Sequence, residues 1–146
     1  MIIYLYLWKF IQCHNQQNHL PKGSLMEIND TTATFQELKN LVTQVTQERD
    51  WTQFHSPKNV AIDISIEAAE LLEKFIWMKE EDSYQVVEKN RQEIEDETAD
   101  ILYGILAFAN VAKIDISSAF VRKLEEIKAK YPIEKAKGVY TKYNKL

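Results

Sequence analysis

The sequence predicts an all-α fold, a four-helix bundle with a basic C-terminal tail. Three observations carry this. Only three Gly and three Pro punctuate 146 residues, too few for the many tight turns of a β-sandwich or barrel. Apolar residues recur at helical spacing through most of the chain after Thr34. Capping residues stand where those periodic runs begin. With 45% hydrophobic residues, a chain of this length can close one core, and a second domain is not expected.

The first helix is predicted over 34–49. Thr34 and Glu37 make a capping-box pattern, and Phe35, Leu38, Leu41, Val42 and Val45 follow at helical spacing. Ser56 before Pro57 opens a second helix, because proline at the first helical position loses no intrahelical hydrogen bond; it is predicted to run to about Met78. Ser83 opens a third. Within it, Ala99 to Ala112 is apolar on nearly every face, as expected of the helix at the centre of a bundle. Asp115 or Ser117 caps a fourth helix carrying Ile116, Phe120, Leu124 and Ile127, which stops before Pro132. The remaining tail is basic and lacks helical periodicity.

Charge and termini narrow the function further. A net charge of -4 leaves no broad basic field for a nucleic-acid polymer. Cys13 is the only cysteine, which excludes an intrachain disulfide and a cysteine-based zinc cluster and fits a cytoplasmic protein. The opening run MIIYLYLWKFIQC is interrupted by Lys9 and is about half the roughly 20 residues a membrane span needs. Residues 1–25 therefore read as an extension outside a domain over 26–146, with Met26 as an alternative start.

The chemistry lies in two acidic pairs. Glu67 and Glu70 are three apart, as are Glu97 and Asp100, so each pair projects from one helix face. Such pairs are common on solvated helices. These differ in context: Glu67 and Glu70 lie among Ile64, Ile66, Ala68, Ala69, Leu71 and Leu72, and Asp100 directly precedes the most apolar stretch of the chain. Acids at a core edge are costly unless paired or metal-bound. Asp63, Glu73, Glu93 and Asp96 are candidates for an outer shell.

An all-oxygen ligand set selects a hard cation such as Mg²⁺, which keeps several waters and is commonly completed by substrate phosphates. A carboxylate-bridged di-iron bundle would need a Glu-x-x-His motif. None occurs, since His14, His19 and His55 all precede Glu67.

From about Phe35 to Leu146 the chain resembles the MazG-like nucleotide pyrophosphohydrolases, and among them the dCTP pyrophosphatase branch. The resemblance rests on ERDWTQFHSPKN from Glu48, the Glu67/Glu70 pair followed by Phe75-Ile76-Trp77, the Glu97/Asp100 pair, and KYPIEKAKGVYTKY from Lys130. It implies Mg²⁺ held by Glu67, Glu70, Glu97 and Asp100, deoxynucleoside triphosphates as substrates, and dimers or tetramers with sites at subunit contacts. It also implies base-pocket roles for Trp51 and Trp77, with His55 in the matching QFH segment. Two departures bear on base preference. Val42 replaces a histidine of the animal dCTP enzymes, and Ile127 replaces an expected asparagine.

Because a triphosphate carries about four negative charges, carboxylates approach it only through bridging cations. Glu70 is the candidate general base. Lys123, Lys130, Lys137 and Lys142 are candidate phosphate contacts, with Tyr131 beside them in the tail motif and Lys79 read instead as a surface lysine. The sequence thus predicts a Mg²⁺-dependent hydrolase releasing monophosphate and pyrophosphate. The rival readings are a non-catalytic helical interaction module and a phosphoribosyl-ATP pyrophosphohydrolase.

Overall fold

The structure, a computed structural model, describes residues 28–145; the N-terminal extension and Cys13 lie outside them. Residues 28–33 fall in a separate unit, where the Thr32 and Ala33 N–H groups donate to the Asn29 carbonyl. The helical unit begins at Thr34. Its helices are α1 (Phe35–Glu48), α2 (Pro57–Glu73), α3 (Ser83–Lys89), α4 (Arg91–Val111), α5 (Ile116–Lys130) and α6 (Ile133–Ala136), with 3₁₀ turns at Trp51–Phe54, Glu80–Asp82 and Tyr143–Lys145. No strand occurs among the described residues, so the fold is all-α.

The helix starts follow local chemistry. Thr34 Oγ1 accepts from the Glu37 N–H while Glu37 Oε2 accepts from the Thr34 N–H, completing the capping box. Ser56 Oγ accepts from the Asn59 N–H with Pro57 in the first turn. Asp115 Oδ1 accepts from the Ser118 N–H.

The core forms where α4 packs on both α1 and α2. Val42, Val60, Leu106 and Ala107 are buried there, with Leu38, Ile64, Tyr103 and Phe108 against them. Gly104 is what lets α4 approach α2, since a Cβ there would lie 2.7 Å from Ile64 Cγ1. At the other end, Asn110 Nδ2 donates to the Lys39 carbonyl and to Thr43 Oγ1, tying α4 to α1.

Four features differ from the sequence reading. α2 ends at Glu73, short of Met78, because the Phe75 N–H turns back onto the Leu72 carbonyl and the bulky Phe75-Ile76-Trp77 run is a poorer helix former. The third helix is divided at Asn90, whose backbone (φ -113°, ψ 31°) leaves the helical region. The tail makes one helical turn, α6, just after Pro132. Finally, α5 turns 107° away from α4 and buries none of its residues. Three helices therefore form the core, and the fourth long helix keeps Phe120, Val121, Leu124 and Ile127 exposed. Among the described residues no single helix is long and apolar enough to cross a membrane.

Candidate functional site

The pairing of α2 with α4 decides which acids meet. Glu67, Glu70 and Glu97 each offer a carboxylate oxygen, and the three lie within 4.8 Å of one another. All three are half-buried, as is Asp100. Asp100 stands outside that triplet, one turn further along α4, yet its charge still acts on Glu70. Burial raises the Glu70 carboxyl above its ordinary value, and Glu97, Asp100 and Glu73 push it further, while Lys74 opposes them. The fit to a hard divalent cation is good: the donors are all oxygen, they come from two rigid helices, and their mutual repulsion is what a cation relieves.

Lys74, absent from the residues singled out by sequence, is the cationic part of this arrangement. It sits at the C-cap of α2. Its Nζ donates to Glu93 Oε2 at 3.0 Å and lies 3.4 Å from Glu97 Oε1. The only sequence signal was its position one turn after Glu70, which cannot reveal partners on another helix.

The aromatic residues are placed by turns. Beyond the end of α1, Asp50 opens the next turn, with a φ of 54°, the left-handed conformation that Asp tolerates better than most residues. Gln53 Nε2 donates to both the Asp50 carbonyl and Oδ2, fixing the Trp51–Phe54 turn. Trp51 is half-buried beneath the Arg49 guanidinium, 5.7 Å from the ring centroid. His55 Nδ1 lies 2.8 Å from the Trp51 carbonyl. Trp77, beyond the end of α2, is 92% exposed.

A groove of about 570 Å³ runs along the outer face of α2 from Lys58 to Glu73, with Ile62, Ile66 and Ala69 in its floor and Glu70 at its acidic end. It is open to solvent along its length. All of its lining residues come from α2.

Three of the expected phosphate contacts, Lys123, Lys130 and Tyr131, make local interactions. Lys123 pairs with Glu126 at 2.9 Å on α5. Lys130 lies over the Tyr143 ring, against which Tyr131 packs edge-on, and Lys137 and Lys142 are exposed. Val42 is part of the core. Tyr103, whose hydroxyl lies 3.4 Å from Thr46 Oγ1, has its pKa raised by burial.

The MazG-like family model matches residues 62–146, which include all four acids. dCTP pyrophosphatase 1 of Bos taurus is 30% identical over 115 residues, covering 77% of this chain and 68% of its own length. The Homo sapiens protein of the same name is 29% identical over the same shares. A pyrophosphatase from Archaeoglobus fulgidus, known from its crystal structure, aligns with a TM-score of 0.66 at 37% identity over 73% of this chain and 99% of that one. The family match covers more than half of the chain, the relatives and the fold neighbour point the same way, and the chain belongs to the MazG-like family.

Proposed function

We propose that this chain is a Mg²⁺-dependent pyrophosphohydrolase that converts dCTP, or a related or modified deoxynucleoside triphosphate of the cytoplasmic pool, to the monophosphate and pyrophosphate. The observation that carries the reading is the meeting of Glu67, Glu70 and Glu97 oxygens within 4.8 Å across two helices. The relatives named dCTP pyrophosphatase 1 support the substrate.

Glu67, Glu70 and Glu97 would hold the divalent ion, with Asp100 completing the set from the next turn of α4. When bound, Mg²⁺ supplies neutralisation of the triphosphate and of the charge developing on the leaving pyrophosphate. Water would attack the α-phosphorus and break the α–β anhydride bond, with pyrophosphate leaving, and Glu70, itself a member of the cluster, would accept the water's proton. Trp51 and Trp77 supply stacking surfaces for the base, with His55 held against the Trp51 turn. Lys123, Lys130, Lys137, Lys142 and Tyr131 are the proposed contacts to phosphate oxygens.

We read the working form as a homodimer or homotetramer. The apolar stripe of α5 is exposed, and the groove has a floor from α2 alone. A second copy would cover the one and wall the other.

The decisive experiment measures pyrophosphate and monophosphate release from a panel of deoxynucleotides and phosphoribosyl-ATP, with and without Mg²⁺, for the parent and for Glu70→Gln and Asp100→Asn. Turnover should vanish in both variants while the helical signal persists. Removing one of several crowded charges should leave the metal-free fold at least as stable, by a few tenths of a kcal/mol. Near-parent turnover in the variants would remove these acids from the centre, and sedimentation as a monomer would remove the oligomer.

A further inference from the structure

Lys74 joins two acids of different character. Glu93, on the rim, has a side chain 65% exposed, whereas Glu97 in the cluster is 16% exposed and Lys74 itself 25%. An ion pair between exposed groups contributes little, but one that reaches a sheltered carboxylate also restricts its rotamers. Glutamate loses considerable side-chain freedom when ordered, so an untethered Glu97 would have to be ordered by the cation itself. A carboxylate offers about four lone-pair sites. Engagement of Oε1 by Lys74 therefore leaves Glu97 able to accept a further ligand.

We infer that Lys74 is a positioning residue for the divalent centre: it holds Glu97 where that carboxylate meets Glu67 and Glu70, with Glu93 as the outer anchor. The inference rests on the metal-centre reading above. Repulsion between the ammonium and an incoming cation works against it. That repulsion is small in net terms, because Glu93 and Glu97 already lie 3.0 and 3.4 Å from Nζ and neutralise its charge. Ligating carboxylates are commonly oriented by such outer partners, and their removal typically weakens metal binding about 10–100-fold.

The test follows the melting temperature of the full chain across a Mg²⁺ titration without nucleotide, for the parent, Lys74→Met, Lys74→Arg and Glu93→Gln. Lys74→Met retains an unbranched stem and removes the charge. It should raise the half-saturating Mg²⁺ concentration by about tenfold or more. Lys74→Arg, still cationic, should stay within about threefold of the parent, and Glu93→Gln should fall between the two. A merely structural ion pair would lower the metal-free melting temperature of Lys74→Met and leave its half-saturation unmoved; that result overturns the inference, as does tighter Mg²⁺ binding by Lys74→Met. A parent that does not respond to Mg²⁺ removes the metal-centre reading and the role of Lys74 with it, so the parent titration separates the two failures.

Discussion

Gly104→Ala tests whether the contact between α2 and α4 sets the acidic site. The new Cβ would lie 2.7 Å from Ile64 Cγ1 and 3.7 Å from its Cα, so one side must recede by about 0.7 Å to reach ordinary contact at 3.4 Å. Ile64 is β-branched, stiff at χ1 in a helix, and cannot simply swing away. Replacing a helical glycine by alanine contributes about 0.5–1 kcal/mol of stability, while overpacking a close-fitted core costs about 1–3 kcal/mol. The expected net is a loss centred near about 1 kcal/mol, which for a chain of this size lowers Tm by about 4 °C. Relief by moving the helices apart would also separate Glu67 and Glu70 from Glu97, and a site of this kind tolerates only about 0.5 Å of displacement. Thermal melts across a Mg²⁺ titration read both effects. Ile64→Ala in the same chain removes the opposing atom, so the pair should couple favourably in a double-mutant cycle. A Gly104→Ala protein that melts above the parent and keeps its Mg²⁺ half-saturation would refute the reasoning.

Glu70 predicts a pH dependence in the absence of divalent cation. Burial first, then Glu97 and Asp100, raise its pKa above 4.5, so the native state binds the proton more tightly than the unfolded chain. Its stability contribution is full below about pH 4.5 and is lost as pH rises through the folded value; Glu70→Gln should remove that segment of the melting profile, and superimposable profiles for parent and variant would count against the cluster. Trp51→Ala and Trp77→Ala should each raise KM, by the equivalent of about 1–3 kcal/mol if the base stacks on the ring. Their Mg²⁺ half-saturation should stay unchanged, and unaltered KM in both would take them out of the pocket.

What the sequence determined by itself is local. The Thr34 box, the Ser56-Pro57 start, the Asp115 cap and the stop of α5 at Lys130 follow from groups only a few residues apart. So does the projection of Glu67 with Glu70, and of Glu97 with Asp100, from common faces, because the helical period fixes neighbours three apart. The break at Asn90 left no such mark, since neither proline nor glycine stands there and its side chain makes no capping bond. The tertiary structure alone decided distances between helices. Whether Glu97 or Asp100 comes within 4.8 Å of the α2 pair depends on how α4 lies on α2, where Gly104 meets Ile64 across a gap of forty residues. The partnership of Lys74 with Glu93 and Glu97 depends on the same crossing. The exposed stripe of α5 teaches the complementary lesson. Its spacing marks a face that can be buried, but periodicity carries no information about what lies opposite; the 107° turn after α4 carries that face away from the chain's own core.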